Sequence, residues 1–424
     1  MLKKMTLEEA LKAKQLHPDC VDTGALAAKF VEEMEAGLRG DPSCLMMIPS
    51  YLTARGKIRP GEPVAMLDAG GTNLRVASVQ FDEQGNAQVL KLARLKMPGT
   101  TGRITAKEMF ARFAEAVEPM IGENGTIAFC FSYAVTALPS GEGRIIGNLS
   151  KEVQVDGADG MYIGEELIEA LRARGVTQPL SVLVLNDTLA VLYSALTAGA
   201  TEAVGFILGT GTNTAYMEKA SGIGNALPFE GDRMGINMES GDFAFDPMGP
   251  VDAALNRDSR NVDEHLHEKH VSGVYLGELM ARACRDLASE GYFSGAFGEA
   301  VARTERFDMR DVGTFLDSGT GLLADLCATE EDARSPREVI LGIEERAGKL
   351  IAANLAGVLI RMRRGGTEGV IPVAENGTTF QKALPLRETC MAELAKFKEQ
   401  TGEYRFVSME DDTLVGTAAA AFLR

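Results

Sequence analysis

Val64-Ala65-Met66-Leu67-Asp68-Ala69-Gly70-Gly71-Thr72-Asn73-Leu74-Arg75-Val76-Ala77-Ser78-Val79 sets the pattern for the whole chain. An apolar run reaches an acid, two glycines and a Thr-Asn pair turn the backbone, and a second apolar run returns: strand, glycine turn, strand, a hairpin. The same grammar recurs at Ala203-Val204-Gly205-Phe206-Ile207-Leu208, Gly209-Thr210-Gly211-Thr212-Asn213 and Thr214-Ala215-Tyr216-Met217-Glu218. Each hairpin heads a stretch of alternating strands and helices. Ile127-Ala128-Phe129-Cys130-Phe131 and Ser181-Val182-Leu183-Val184-Leu185 read as buried strands of a mostly parallel sheet. Gly369-Val370-Ile371-Pro372-Val373 and Tyr404-Arg405-Phe406-Val407 follow the second hairpin. The repeat is too long and divergent for a solenoid, so the pattern predicts duplicated α/β domains whose two turns face each other across a cleft.

Helices are legible around these strands. Leu26, Phe30, Val31, Met34 and Leu38 recur at helical spacing over residues 23–39, and Gly40-Asp41-Pro42 stops the run. A second helix is predicted over residues 163–174, closing on Gly175. After about Gly241 the chain reads as mainly helical, for example over residues 343–360.

The 424 residues are enough for two or three domains, and 45% hydrophobic and 24% charged content fit a globular protein. Sixty acidic against 43 basic residues leave a net charge of −17, which repels phosphate backbones and anionic lipid. Nucleic acid and membrane are therefore not expected as partners, and no apolar run approaches the length of a membrane span. Met1-Leu2-Lys3-Lys4-Met5-Thr6 leads into polar helical sequence without the apolar core of a signal peptide. Cys20, Cys44, Cys130, Cys284, Cys327 and Cys390 stand far apart. The expectation is a reduced, cytoplasmic α/β enzyme.

Glycine turns without a Cβ let backbone N–H groups close on anions, and threonine hydroxyls add donors. Either turn taken singly is equally an ordinary tight hairpin. The pair, with Asp68 placed where a Mg²⁺–phosphate group needs a carboxylate, points to polyphosphate binding. Neither a Walker loop nor a Rossmann turn is present. Asn186-Asp187-Thr188 stands at the carboxyl end of a predicted parallel strand, where open α/β sheets place ligands. Asp187 is a candidate general base, and the alternative is a helix cap for the run that follows. Glu239, Glu268 and Lys151 have no evident role in isolation. His265, His267 and His270 invite a metal reading, but positions i and i+2 do not share a helix face, which favours a partly exposed helical patch.

Read in order, these motifs resemble the eukaryotic-type hexokinases, a branch of the actin-like ATPase superfold. Met47-Ile48-Pro49-Ser50-Tyr51 is similar to that family's M-L-P-T-Y, and Leu67-Asp68-Ala69-Gly70-Gly71-Thr72-Asn73-Leu74-Arg75-Val76 to its L-D-L-G-G-T-N-F-R-V. Phe129-Cys130-Phe131-Ser132-Tyr133 with Asn148-Leu149-Ser150-Lys151 resembles the sugar-binding F-T-F-S-F-P and W-T-K. Leu185-Asn186-Asp187-Thr188, the second glycine turn, Ile236-Asn237-Met238-Glu239-Ser240-Gly241 and Glu268-Lys269-His270-Val271-Ser272-Gly273 match further family motifs.

The resemblance implies a two-lobed actin-like ATPase (ribonuclease-H-like) fold. The small domain would hold residues 64–186 plus 415–424, and the large one residues 1–63 plus 187–414. It implies an ATP-dependent kinase making a hexose 6-phosphate, first of all from D-glucose, and feeding glycolysis. Asp187 and Lys151 would be catalytic, Asp187 as the base. Ser132, Ser150, Lys151, Asn186, Asn213, Glu239 and Glu268 would hold the sugar. Asp68 would orient Mg²⁺ through water. Gly70, Gly71, Thr72, Asn73 and Arg75, with Gly209, Thr210, Gly211, Thr212, Gly377 and Thr413, would hold ATP.

Several positions depart from the family pattern. Ala134 replaces a proline, Ser150 a threonine, Ser240 a tryptophan and His265 a glutamine. Glu375-Asn376-Gly377-Thr378 and Asp412-Thr413-Leu414-Val415-Gly416 replace V-D-G-S and G-S-G-K-G, losing glycines at the nucleotide end. Two rivals stand beside the kinase reading. One is a sugar-binding regulator without turnover, opposed by intact Asp187, Asp68 and both turns. The other is an ATPase of the same superfold acting without sugar, opposed by Ser132, Lys151, Glu239 and Glu268.

Overall fold

Both hairpins form, and each opens an α/β half with the same topology. The computed structural model describes residues 5–149, 153–197, 199–245 and 248–424. In the first half β1 (Val64–Ala69), β2 (Asn73–Phe81) and β3 (Ala87–Lys96) make an antiparallel meander. β4 (Thr126–Phe131) then returns parallel to β1, and β5 (Ser181–Leu185) parallel to β4, giving the order β3-β2-β1-β4-β5. In the second half β6 (Val204–Leu208), β7 (Thr212–Lys219) and β8 (Arg233–Asn237) make the same meander. There β9 (Ile371–Asn376) runs parallel to β6 and β10 (Tyr404–Val407) parallel to β9, in the order β8-β7-β6-β9-β10. The short strand Ile48–Pro49 adds an edge beside β8. The predicted duplication is thus present in the strand order.

The strands follow from composition. β1 is buried along its whole length, as an apolar run covered on both faces must be. Register sets Asp68 opposite Arg75 on β2 and opposite Cys130 on β4. β9 starts later than residues 369–373 suggested, because Gly369 lies in a left-handed turn (φ 69°) and the strand then runs on to Asn376.

Seven helices matter for the site. They are α1 (Thr23–Arg39), α2 (Ala106–Val117), α3 (Ile163–Ala173), α4 (Asp187–Leu196), α5 (Leu266–Val271), α6 (Glu330–Arg364) and α7 (Asp412–Leu423). α1 ends as predicted, on Gly40 in the left-handed region. α6 is much longer than the predicted residues 343–360. The Thr329 side chain caps its start, and Arg361, Arg363 and Arg364 complement the carbonyls at its end. No helix among the described residues is long and apolar enough to cross a membrane.

Among the described residues, packing divides into three cores. α2 and α3 cover one face of the first sheet through Phe110, Phe113, Phe129, Phe131 and Leu167. α1 and α6 pack on the second sheet with Phe30, Met34, Phe206, Tyr216 and Leu355. α4 and α7 lie between the two sheets with Met66, Ala128, Leu192, Ala215, Ala374 and Ala418. α7 rests on β1, β2 and β4, α4 rests on β6 and β9, and the two helices pack on each other.

Glycine permits that crossing. A Cβ on Gly416 would stand 1.7 Å from the Ala190 carbonyl oxygen, and one on Gly205 would stand 2.5 Å from the Leu192 nitrogen. Backbone cannot yield as a flexible side chain does, so Gly416→Ala must separate α4 from α7. The expected cost is about 1–3 kcal/mol or more, read as a lower urea midpoint. A midpoint equal to that of the wild type would mean that the helices do not pack this closely.

Candidate active site

The carboxyl ends of β1, β4 and β5, and the two glycine turns, carry most of the expected residues. Asp187 is the first residue of α4, directly after β5. The two sequence readings of this motif are compatible, because the cap is its neighbour. Asn186 is the N-cap, and its side-chain oxygen accepts from the Thr188 N–H at 2.7 Å. One Asp187 oxygen, Oδ1, accepts from the same N–H at 2.7 Å and lies 3.2 Å from the Thr188 hydroxyl. Asp187 is half-buried, and its charge is felt by Asp68, Cys130 and Glu239.

Asp68 is 7% exposed at the end of β1. Burial raises its carboxyl above the usual range, and the Arg75 guanidinium opposes the rise. Arg75 Nε donates to Asp68 Oδ2 at 2.8 Å, and Arg75 Nη2 contacts the same oxygen. Beyond Asp68 the chain turns at Gly70, whose N–H donates to the Asn73 carbonyl at 3.0 Å. Thr72 and Asn73 are exposed. Asp68, Gly70, Gly71, Thr72, Asn73 and Arg75, with Arg94, line an open cavity of about 450 Å³.

Ser132 sits just past β4, half-buried, and its N–H donates to the Ala69 carbonyl at 3.2 Å. The side chain of Ser132 also hydrogen-bonds Cys130, a thiol that burial pushes far above its ordinary range. Ser150 and Lys151 lie outside the described residues.

The second half supplies a connected acidic group. Asn213 Nδ2 donates to Asn237 Oδ1 at 2.8 Å, and Asn237 Nδ2 donates to Glu239 Oε1 at 2.7 Å. Glu239 is held in a left-handed conformation, φ 54°. Burial lifts its carboxyl to about 6 against the Asn237 hydrogen bond, with the Asp187 and Asp242 charges adding to the rise. Glu268 lies beside the second glycine turn, where its Oε2 accepts from the Thr212 N–H at 3.0 Å. A Cβ on Gly211 would stand 2.6 Å from that oxygen, so glycine there makes room for the carboxylate. His265 Nδ1 lies 2.6 Å from Asp242, and that hydrogen bond raises the imidazole above its ordinary value.

The second turn is built into its surroundings. The Gly209 carbonyl accepts from the Gly273 N–H and from the Thr379 hydroxyl, both at 2.9 Å. Gly377, at φ 113°, stands so close that a Cβ would meet the Leu208 oxygen at 2.2 Å. Thr210 is exposed, whereas Thr413 is 8% exposed and its hydroxyl lies 3.3 Å from Asp412 Oδ1. The Thr413 side chain is thus committed to the interior at the start of α7.

A polar chain links the two turns. Arg75 Nη1 lies 3.6 Å from Asp411, the neighbouring Asp412 accepts from Asn376 Nδ2 at 2.6 Å, and Gly377 rests on Gly209. Asn237, Asn376 and Asp411 were not among the expected site residues. Asn237 was legible only through its place two residues before Glu239.

The histidine motif differs from its sequence reading. His267 and His270 are buried, not partly exposed, and only His265 is half-exposed. His267 packs edge-on to Phe30 and Phe243, and burial lowers its imidazole to about 3. These side chains fix α5, which carries Glu268, and they do not converge on a metal.

Residues 8–196 and 203–423 each match a family model described as hexokinase. Hexokinase-3 of Rattus norvegicus is 29% identical over 397 residues, covering 88% of this chain and 42% of the relative. The chain therefore spans less than half the length of that relative. Hexokinase-1 of Oryza sativa subsp. japonica is 31% identical over 382 residues, covering 81% of this chain and 75% of the relative. The solved structure of a hexokinase from Schistosoma mansoni complexed with glucose superposes with a TM-score of 0.75 at 23% identity, covering 98% of both chains. The architecture is thus the two-lobed α/β fold of the actin-like ATPase type.

Proposed function

This chain belongs to the hexokinase family, and on that premise we propose that it transfers the γ-phosphoryl group of ATP to the 6-hydroxyl of a hexose, D-glucose foremost, for entry into glycolysis. The observation that carries the reading is the position of Asp187. It opens α4 at the end of β5, within electrostatic reach of Asp68 on the phosphate side and Glu239 on the other. A carboxylate so placed can take the proton of a hydroxyl that attacks phosphorus.

Both halves contribute to each role. Ser132, Asn186, Asn213, Glu239 and Glu268, with Ser150 and Lys151, hold the sugar through paired donors and acceptors. The backbone N–H groups and hydroxyls of residues 70–73 and 209–212 hold phosphates, with Gly377 and the start of α7 toward the nucleoside. Mg²⁺ fits Asp68, a single buried carboxylate beside a phosphate turn, which is all the protein needs to offer that ion. When bound, Mg²⁺ would neutralise phosphate charge. Arg75 pairs with Asp68 and opposes the effect of burial on its charge. The two domains, residues 64–186 plus 415–424 and the remainder, close on the sugar about the α4–α7 packing and exclude water.

A coupled assay over a panel of hexoses and nucleoside triphosphates tests this. ADP formation should depend on hexose. Hexose-independent ADP formation would support the ATPase alternative, and binding without turnover would support the regulator.

The Glu239 carboxyl gives a pH test. Sugar hydroxyls donate to the anion, so hexose affinity should fall as pH drops through about 6, approaching tenfold per unit below it. Glu239→Gln cannot titrate, and it should bind more weakly at pH 7.5 and show no step near 6. Calorimetric titrations from pH 5 to 8 check both. Equal pH profiles in the two proteins would remove Glu239 from sugar binding.

A further inference from the structure

Tyr133 joins the sugar loop to the first phosphate turn. Its hydroxyl donates to the Gly70 carbonyl at 2.9 Å, and its ring is buried against Phe131 at 5.0 Å between centroids. The loop that carries it is short and held at both ends. On one side the Ser132 N–H bonds the Ala69 carbonyl, and on the other the Ala134 carbonyl accepts from Ile146 while Val135 pairs with Ile145. Residues 132–134 therefore have little freedom to move without moving Gly70.

The peptide linking Gly70 to Gly71 is planar and trans, so its carbonyl and its N–H point in opposite directions. Fixing the Gly70 carbonyl on Tyr133 also fixes the direction of the Gly71 N–H, which lies in the same plane and points the opposite way. Glycine on both sides leaves this peptide otherwise free to rotate. Gly71 lines the phosphate-side cavity.

We propose that Tyr133 is a positioning residue that couples hexose occupancy to phosphate binding. A sugar held by Ser132 steadies the loop, the Tyr133 hydroxyl holds the Gly70 carbonyl, and the Gly71 N–H is then presented to the donor phosphates. This rests on the hexokinase reading and extends it to a residue whose hydroxyl is bonded to a backbone carbonyl of the phosphate turn.

Tyr133→Phe keeps the ring and removes only the hydroxyl. Calorimetry would measure Mg·AMPPNP binding with and without saturating glucose, and glucose binding alone, in both proteins. In the variant, glucose affinity should stay within about twofold of wild type. Its AMPPNP affinity in the presence of glucose should fall about 3–10-fold, the scale of one neutral hydrogen bond. The factor by which glucose tightens AMPPNP should shrink with it, and reciprocity demands the same change for glucose tightened by AMPPNP. A lower melting temperature with unchanged coupling would assign the hydroxyl a merely structural role and overturn the inference. An affinity loss equal with and without glucose would overturn it too. Wild-type protein binding neither glucose nor AMPPNP would overturn the kinase reading itself, and this inference with it.

Discussion

Asp187→Asn is expected to lower kcat by about 10²–10⁴-fold, a barrier increase of roughly 3–5 kcal/mol, while glucose affinity changes far less. Asparagine keeps the size of the side chain and an oxygen for the Thr188 N–H, so the cap geometry at the start of α4 survives. What it loses is the anionic oxygen that accepts a proton only as the hydroxyl attacks, so the loss falls on the transition state. Steady-state rates beside calorimetric glucose affinities separate the two effects. Near-normal turnover in the variant would return Asp187 to a purely structural place beside the Asn186 cap.

Asp252→Asn should have the largest effect on stability. Asp252 and Arg346 are both buried and joined by two hydrogen bonds, Nη1 to Oδ2 at 2.9 Å and Nη2 to Oδ1 at 2.8 Å. His270 Nε2 lies 3.3 Å from Asp252 Oδ1, and the Gly249 N–H donates to Oδ2 at 3.1 Å. Burial disfavours this charge, but Arg346 and His270 outweigh it and hold the carboxyl far below the usual range. Removing the anion strands a buried guanidinium, which costs about 3–5 kcal/mol. The double change Asp252→Leu with Arg346→Met leaves no stranded charge and should cost less than the single one. Urea denaturation of the three proteins checks that order. Since α5 carries Glu268 between His267 and His270, the single variant should also bind hexose more weakly.

The sequence made the strand frame legible because buried strands and glycine turns are local signals. Val64-Ala65-Met66-Leu67 and Val204-Gly205-Phe206-Ile207-Leu208 needed no distant partner to be read as strands, and the matching strand order of the two halves follows from them. Asn186 and Asp187 were legible for the same reason, at a strand-to-helix boundary. The polar chain through Arg75, Asp411, Asp412 and Asn376 was not, since its members lie up to 337 positions apart and meet only through tertiary packing. The histidines failed differently. His267 lies between two phenylalanines more than 20 positions away in sequence, and helical spacing alone could not show that burial. Tyr133 was read only as part of a family motif, because its hydroxyl acts on a backbone carbonyl 63 residues earlier.

Phosphorus NMR of the protein mixed with Mg²⁺, ATP and glucose tests the central claim most directly, because it identifies the phosphoryl acceptor. The kinase reading predicts a sugar phosphate monoester appearing in step with ADP, and neither product when glucose is omitted. ADP accompanied by inorganic phosphate, at the same rate with or without glucose, would contradict it.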